Sequence, residues 1–334
     1  MIRNDAQLFH AEQMYGVGVD IGGTKIMILI ANQAGDIVYR KKVNTSSVFD
    51  VITEHITECL REAAISQEQV VAMGFGVPGI TNSEEGIVIE APALRWNHVP
   101  FRERMQQYFD KPIFVDNDVN CTALGEKWLG SAQNSGDFIV VAIGTGVGSA
   151  IMVNGSLVKG SNHMAGEVAY LVVEQDVFGD GANAFGDFGQ FEKKVSGVAL
   201  SKYGALPQVL FERYARGDEK STTIIQQFVI DLSIGIANMV SLLNPEKVIL
   251  CGGVAQSLSP VLEHIRSTVS SLTPIPTLVE LTSIGEEAGA IGAAALAFEK
   301  VGYELKKGNG HENAYRKQLP RNVATSGRID YSSS

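Results

Sequence analysis

Cysteine is scarce in this sequence. Its 334 residues include three cysteines, Cys59, Cys121 and Cys251. Each stands alone in an apolar run, and no two form a Cys-x-x-Cys pair. Such spacing is typical of reduced core thiols and not of a disulfide framework. We therefore expect a protein of the reducing cytoplasm.

Long hydrophobic runs are also missing. Polar residues, among them Asp5, His10 and Glu12, interrupt the N-terminal segment. No later run approaches the length of a membrane span. The sequence therefore predicts a protein that is neither secreted nor embedded in a membrane.

Positive charge is in deficit. The chain has 27 Lys and Arg residues against 37 Asp and Glu residues, which gives a formal net charge of −10. Binding to a phosphate backbone draws on clustered Lys and Arg, so this balance disfavours a nucleic-acid partner. The same balance does not exclude ATP as a ligand, because backbone N–H groups and Mg²⁺ can hold a triphosphate locally.

Apolar residues and glycines are abundant. Apolar residues make up 45% of the chain and there are 35 glycines, and the length suggests about two domains. Apolar positions recur at helical spacing over 48–64, a buried strand is predicted at 70–77, and a further helix is predicted from Glu192 to Tyr203. Strands that alternate with crossover helices in this way predict an α/β layer fold.

A glycine-rich turn interrupts the first apolar segment, YGVGVDIGGTKIMILI at 15–30. β-branched runs flank Gly22 and Gly23 and predict a strand, a tight turn and a returning strand. Backbone N–H groups at paired glycines can approach a phosphate, because no Cβ stands in the way. Asp20 beside the turn then indicates Mg²⁺, bound directly or through water, since a cation must separate a carboxylate from a phosphate. The alternative is an ordinary edge hairpin.

The same plan occurs a second time. Residues 139–153, IVVAIGTGVGSAIMV, again predict a strand, a Gly-rich turn and a strand, with Gly144, Thr145 and Gly146 in the turn. Ala142 stands where the first copy has Asp20. The repeat indicates a duplicated domain with two facing phosphate turns, of which only the first has a carboxylate.

Three acidic residues lie at the ends of predicted elements. Asp118 follows a predicted strand, where an α/β sheet usually places its site, and a carboxylate there can accept a proton from a hydroxyl. The alternative makes Asp118 the N-cap of the next helix. Glu167 alone is compatible with a solvated loop residue, and Glu192 alone with a favourable charge at a helix start.

Six motifs, taken together and in order, make the sequence resemble one family. Between Gly16 and Phe298 it is similar to the ROK family (repressors, open reading frames and kinases) of actin-like sugar kinases. The motifs are DIGGTK at 20–25, GVPG at 76–79, DNDVN at 116–120, GTGVG at 144–148, AGE at 165–167 and VILCGGV at 248–254.

The resemblance implies a fold and a division into domains. The fold is α/β, with two actin-like, RNase H-like domains, each a mixed sheet flanked by helices, and a cleft between them. Residues 14–118 with the helix 286–300 would form the first domain, and 119–285 the second. A polar tail would follow at 301–334. The resemblance also implies a homodimer formed through the second domain.

The resemblance further implies transfer of the γ-phosphoryl group of ATP to a hydroxyl of a hexose or glucoside. Asp118 would be the general base in a reaction that depends mainly on positioning and charge neutralisation. ATP would contact both Gly turns and a third Gly pair, with Mg²⁺ at Asp20; the residues implied are Asp20, Gly22, Gly23, Thr24, Lys25, Gly144, Thr145, Gly146, Gly252 and Gly253. The sugar would contact Pro78, Gly79, Asn117, Glu167, Tyr170 and Glu192.

The chain departs from the family pattern at the zinc motif. Tyr170 stands where most members have a zinc-ligating His. Asn183, Phe185 and Gln190 align with the positions of zinc-ligating cysteines. None of these side chains can replace a thiolate, so we expect no zinc site. This pattern is similar to the bacterial β-glucoside kinases of the family.

Two further features concern the sugar site. Ala93 stands where many relatives have Asn, which weakens the case for plain glucose as the substrate. Phe185, Phe188 and Phe191 could fill the zinc space by apolar packing, or they are simply loop core.

Three functions other than a kinase are compatible with parts of the sequence. A sugar-sensing or scaffold protein of the same family would bind its ligand without transfer, and the altered sugar loop supports it. A DNA-binding repressor is disfavoured, because the chain is acidic and only about 15 residues precede the first strand. A Rossmann oxidoreductase is disfavoured, because neither turn has the full Gly-x-Gly-x-x-Gly spacing that leads into a helix.

Overall fold

The computed structural model describes residues 13–173 and 189–306. These residues form thirteen strands and nine α-helices. The strands are β1 (Tyr15–Ile21), β2 (Lys25–Asn32), β3 (Ile37–Asn44), β4 (Val70–Val77), β5 (Ile80–Asn82), β6 (Ile87–Ala91), β7 (Trp96–Val99), β8 (Ile113–Asn117), β9 (Phe138–Ile143), β10 (Val147–Val153), β11 (Ser156–Leu157), β12 (Lys247–Cys251) and β13 (Leu278–Leu281). The helices are α1 (Phe49–Glu62), α2 (Phe101–Gln106), α3 (Asp118–Trp128), α4 (Glu192–Val195), α5 (Gly197–Ser201), α6 (Pro207–Ala215), α7 (Glu219–Leu243), α8 (Leu262–Leu272) and α9 (Ala288–Lys300).

Two five-stranded mixed sheets organise these elements. The first sheet has the order β3-β2-β1-β4-β8, and the second has the order β11-β10-β9-β12-β13. In each sheet a central strand pairs antiparallel with its hairpin partner and parallel with a later strand: β1 with β2 and β4, and β9 with β10 and β12. The two sheets share one plan, as the repeated Gly-turn segment predicts. The predicted fold class, two mixed sheets flanked by helices, is confirmed.

A third sheet of three short strands, β5-β6-β7, follows β4. The sequence pattern does not predict it, because strands of three to five residues are too short for an alternation of apolar and polar residues to stand out. The turn into this sheet requires Gly79. Its φ is +92°, and a Cβ there would lie 2.1 Å from the carbonyl oxygen of Glu90, which only glycine avoids.

Helix α9 packs unusually close to the first sheet and to α3. A Cβ on Gly74 of β4 would lie 1.8 Å from the carbonyl oxygen of Ala293. A Cβ on Gly292 of α9 would lie 1.6 Å from the carbonyl oxygen of Cys121 in α3. The glycines and alanines of α9 therefore let it lie backbone to backbone against both neighbours, at the level where the site is built.

Helix α7 is the core helix of the second sheet. Its 25 residues are long and apolar enough to cross a membrane, but 67% of its most apolar window is buried inside the protein. The side chain of Phe191 is fully buried against it, and a Cβ on Gly235 would lie 2.4 Å from the Phe191 ring. Burial against the second sheet therefore explains the apolar character of α7.

A helix predicted from Glu192 to Tyr203 is interrupted in the structure. Ser196 ends α4 and is the N-cap of α5, where its hydroxyl oxygen accepts a hydrogen bond from the Ala199 N–H at 3.0 Å. A serine that caps in this way competes with a continuous helix. The prediction of one uninterrupted helix is therefore wrong.

Strands of the two sheets meet around α3. This helix contacts α9 and strands of both sheets. Because these contacts assign α3 to neither domain alone, the predicted domain boundary at 118 stays a prediction. After α9 the chain returns to the side of the first sheet. There the indole N–H of Trp128 donates a hydrogen bond to the carbonyl oxygen of Lys306 at 3.1 Å. The rest of the predicted polar tail lies outside the described residues.

Candidate active site

The carboxyl ends of three parallel strands bring the acidic residues of the first sheet together. Asp20 of β1 lies opposite Gly76 of β4, and Gly76 lies opposite Asp116 of β8. Asp118 begins α3 two residues later. Because these strands run in one direction, their ends share one edge of the sheet, which is where α/β folds build sites.

Gly76 leaves the space in which Asp20 and Asp118 approach each other. A Cβ on Gly76 would lie 3.3 Å from both Asp20 Oδ1 and Asp118 Cα. Asp20 Oδ1 is buried and has no hydrogen-bond partner among the described residues. Burial, and then the charge of Asp118, raise the pKa of Asp20 to about 8. An enclosed carboxylate oxygen without a donor is suited to a cation, so the residues present fit Mg²⁺ at Asp20.

The turn between β8 and α3 presents Asp118. Asn117 is the N-cap of α3, and its side-chain oxygen accepts hydrogen bonds from the Val119 N–H at 2.8 Å and the Asn120 N–H at 3.1 Å. The alternative that made Asp118 the cap is therefore wrong. Asp118 is the first residue of α3, and burial raises its pKa to about 6 while hydrogen bonds, among them one from the Val119 N–H, oppose the rise.

The same turn reaches the small sheet. The Asn117 side-chain amide donates to the carbonyl oxygen of Gly79 at 2.9 Å, which ties the predicted sugar residues Asn117, Pro78 and Gly79 into one wall. Asp116 braces the turn from below: its Oδ1 accepts from the Asn117 N–H and from the Asn120 side-chain amide, both at 2.8 Å. Asp118 is therefore held by its two neighbours in the DNDVN motif.

The second sheet contributes two further acids. Glu192 Oε1 accepts from the Val147 N–H at 2.8 Å, and a Cβ on Gly146 would lie 2.1 Å from that oxygen. Burial raises the pKa of Glu192. Burial first, and then the charges of Asp118 and Glu192, raise the pKa of Glu167. Glu167 is therefore no solvated surface residue: it is half-buried and lies near enough to Asp118 and Glu192 for their charges to act on it.

The second Gly turn is held by neighbouring elements. The Gly144 carbonyl oxygen accepts from the Gly197 N–H at 2.8 Å, and the Thr145 carbonyl oxygen accepts from the Val198 N–H at 3.2 Å. A Cβ on Gly144 would meet no atom of residues 13–173 and 189–306 within 4 Å. The outer side of the turn is thus open, as an approach to a phosphate requires.

The third Gly pair lies beside the second turn. A Cβ on Gly252, whose φ is +90°, would lie 2.6 Å from the carbonyl oxygen of Ile143, while Gly253 faces open space. The structure therefore brings Gly252 and Gly253 next to Gly144, Thr145 and Gly146 although about a hundred residues separate them in the sequence.

The first Gly turn is exposed at its tip. Gly23, Thr24 and Lys25 are exposed, and the Gly22 carbonyl oxygen accepts from the Thr45 hydroxyl at 2.7 Å. Lys25 begins β2, where its ammonium donates to the side-chain oxygen of Asn44. The turn is therefore fixed from β3 and open on its outer side.

The residues tied to the zinc motif are only partly described. Asn183 and Phe185, with Phe188, lie outside the described residues. Tyr170 ends a short 3₁₀ turn that begins after Glu167, and Gln190 is half-buried. Among residues 13–173 and 189–306, no group of three or more His, Cys, Asp or Glu side chains is placed to hold a metal ion. The expected absence of zinc stays a prediction.

Lys159 is a site residue that sequence reasoning missed. It follows β11 in the second sheet, and its Nζ lies 3.3 Å from Asp116 Oδ2 in the first. A single lysine ahead of a loop has no motif to mark it. The nearest signal in the sequence is the first acid of DNDVN, which needs a partner when buried.

Comparison with known proteins gives consistent matches over most of the chain. A model of the ROK family matches residues 16–300. A glucokinase from Halalkalibacterium halodurans is 28% identical over 322 residues, which covers 88% of this chain and 97% of the relative. A xylose repressor from Caldicellulosiruptor bescii is 27% identical over 310 residues, which covers 84% of this chain and 77% of the repressor. The structure of a ROK family glucokinase from Streptomyces griseus in complex with glucose and AMPPNP matches with a TM-score of 0.71 at 27% identity, covering 85% of this chain and 99% of that one.

Proposed function

Since the chain belongs to the ROK family, we propose that it is a sugar kinase that transfers the γ-phosphoryl group of ATP to a hydroxyl of a hexose or glucoside. The observation that carries the proposal is the placement of Asp20 and Asp118 on either side of Gly76. A protein that only binds a sugar has no need of both acids at one point. The similarity to glucokinases supports the same activity.

Asp118 is the proposed general base. The Asn117 cap and the Asp116 brace hold it at the start of α3, near Glu167. A pKa raised to about 6 leaves it ionised near neutral pH and basic enough to accept a hydroxyl proton. The sugar oxygen then attacks the γ-phosphoryl group in line, and the bond to the β-phosphate oxygen breaks.

Asp20 is the proposed magnesium residue, directly or through water. Bound Mg²⁺ neutralises charge on the phosphates and orients them. Asp20 would lose its proton as the cation binds and then hold the cation with a negative charge in an enclosed site. Gly289 leaves room for that carboxylate, since a Cβ there would lie 2.5 Å from Asp20 Oδ2.

The remaining predicted residues fall into two groups. Around Asp118, the proposed sugar residues are Pro78, Gly79, Asn117, Glu167, Tyr170 and Glu192. The proposed ATP residues are Gly22, Gly23, Thr24 and Lys25 of the first turn, Gly144, Thr145 and Gly146 of the second, and Gly252 and Gly253. We expect both groups to border one cleft between the two sheets, where a sugar and ATP would meet. A homodimer in the cytoplasm stays a prediction.

The experiment is a coupled ADP-release assay over D-glucose, D-mannose, D-xylose and cellobiose, with the Asp118→Asn variant beside the wild type. We expect ADP release with at least one sugar, and a loss of kcat of about 10²–10⁴-fold in the variant with its melting temperature retained. A variant as active as the wild type would remove Asp118 from its proposed role.

A sugar sensor without transfer is the second candidate, and the similarity to a xylose repressor favours it. The two candidates differ in one pair of measurements. A sugar that raises the melting temperature while no ADP is released in the presence of Mg²⁺ and ATP would support the sensor.

A further inference from the structure

One lysine joins the two sheets at the catalytic turn. Lys159 lies just after β11 of the second sheet, and its Nζ is 3.3 Å from Asp116 Oδ2 of the first sheet. The same ammonium donates to the hydroxyl of Ser83, which belongs to the turn between β5 and β6. We call these two contacts the Lys159 bridge.

The acceptor side of the bridge is rigid. Arg102 donates to the Ser83 carbonyl oxygen at 2.9 Å and to the carbonyl oxygen of Ile113, at the start of β8, at 3.1 Å. The side chain of Asp116 is only 3% exposed, and its other oxygen is occupied by Asn117 and Asn120. The small sheet thus presents a fixed hydroxyl, and the first sheet a fixed, buried carboxylate oxygen, to the Lys159 ammonium.

The donor side of the bridge carries a site loop. The Lys159 carbonyl oxygen accepts from the Ala165 N–H at 3.0 Å, which closes the loop 160–166 at its base. Gly166 ends that loop with φ +92°, and its carbonyl oxygen accepts from the Ser149 hydroxyl at 2.8 Å. Glu167 follows directly. The backbone of Lys159 therefore anchors the loop that presents Glu167, while its side chain anchors Asp116.

We propose that Lys159 is a positioning residue that couples the Glu167 loop of the second sheet to the Asn117–Asp118 turn of the first, and so sets the distance across which a sugar is held. This inference rests on the proposed sugar kinase function. It names a residue outside the six family motifs and assigns it the task of holding the two halves of the sugar site in register.

The energetics favour this role over a plain surface ion pair. Exposed ion pairs contribute little, whereas Asp116 is almost fully enclosed, and removing the cation would leave a buried carboxylate directly beneath Asp118. Such a loss would displace the turn or admit water, and either change would act on Asn117 and Asp118 together. None of the described contacts of Lys159 is to a proposed ATP residue. We therefore do not expect replacement of Lys159 to change ATP binding.

The test compares Lys159→Met with Lys159→Arg and with Lys247→Met. Lys247 forms an ion pair with Glu280 at 3.0 Å within the second sheet, with both side chains 23% exposed, so it controls for the loss of a half-buried lysine. With the most active sugar of D-glucose and cellobiose, we expect Lys159→Met to lower kcat/KM for the sugar about tenfold and to leave KM for ATP within about twofold. Arg keeps the charge and is expected to restore most of the activity.

Hydrogen exchange of the ligand-free protein separates the bridge from the proposed function. In Lys159→Met, amides of both 117–120 and 160–167 are expected to exchange faster, and in Lys247→Met neither segment changes. This measurement needs no substrate, so it decides on the bridge even if the wild type releases no ADP and the kinase proposal fails. The inference would be overturned if Lys159→Met left hydrogen exchange unchanged in both segments. It would also be overturned if the wild type is active and Lys159→Met has the same kinetics.

Discussion

Asp20 and Asp118 approach each other across the missing side chain of Gly76, with Asp20 Oδ1 and Asp118 Cα each 3.3 Å from where that Cβ would stand. Glycine at this position is therefore part of the site, because a methyl group would press on both acids. Two enclosed carboxylates so close together are costly for the ligand-free protein. They become useful when a cation and a proton acceptor are both needed, as phosphoryl transfer requires.

Replacing Asp20 separates stability from activity. Above about pH 8, where Asp20 ionises, Asp20→Asn is expected to raise the melting temperature of the ligand-free protein, because it removes an enclosed charge whose Oδ1 has no donor among the described residues. The same change is expected to lower Mg²⁺-dependent ADP release by at least about 10²-fold. Thermal melts and ADP release against Mg²⁺ concentration measure both. Asp110→Asn, at an exposed position, is the control, and an active Asp20→Asn enzyme would exclude the magnesium role.

The acidic limb of the pH profile reports on Asp118. Its pKa is raised from 3.8 to about 6 by burial, and only the ionised form accepts a proton. We therefore expect kcat/KM for the sugar to fall as the pH drops through about 6 in the free enzyme. A limb centred near pH 4 would contradict the enclosed setting of this carboxylate.

The same shift has a consequence for stability. A raised pKa means that the folded protein binds this proton more tightly than the unfolded chain does. The contribution of Asp118 to the free energy of unfolding is thus fully present below about pH 3.8 and is lost as the pH rises through about 6. Melting temperatures of wild type relative to Asp118→Asn should decline across that window.

The second Gly turn can be tested with two alanines. Gly144→Ala adds a methyl group that meets no atom within 4 Å in the described part of the chain, so we expect an unchanged melting temperature. If phosphates approach this backbone, KM for ATP rises about tenfold while KM for the sugar is unchanged. Gly146→Ala instead displaces the Glu192 carboxylate, 2.1 Å from its new Cβ, and should raise both KM values. An unchanged KM for ATP in Gly144→Ala would argue against the proposed turn.

The close approach of α9 to β4 predicts a large effect from a small side chain. Gly74→Ala places a Cβ 1.8 Å from the carbonyl oxygen of Ala293, and neither backbone can yield easily. We expect the free energy of unfolding to fall by about 1–3 kcal/mol. Gly136→Ala is the control, because its nearest atom would be 3.5 Å away. Urea and thermal unfolding of both variants measure the difference.

Much of the fold could be predicted from local patterns. The strand at 70–77 has the predicted bounds, because eight apolar or glycine residues between turn signals leave little alternative. The repeated Gly turns predicted a duplicated domain, and the structure contains two similar sheets. The small sheet β5-β6-β7 and the break at Ser196 were not predictable, since short strands and a single serine give weak signals.

The site was partly predictable for a different reason. Asp118 and Glu167 could be selected because two of the six motifs contain them, and Glu192 because the family resemblance implied it, although each was ambiguous alone. That Asn117 and not Asp118 caps α3 depends on backbone torsion angles at one turn. Lys159 was not predictable at all, because its partner Asp116 lies 43 positions earlier in the chain.

By itself, the sequence determined the longer strands, most of the longer helices and the glycine turns, because apolar periodicity and the absence of a Cβ act over a few neighbouring residues. Only the tertiary structure decided which acids stand together, that Glu167 lies near Asp118, and that one lysine spans the two sheets. The reason is physical: such contacts depend on strand register and on how closely α9 and α3 pack, and these are set by the whole chain at once.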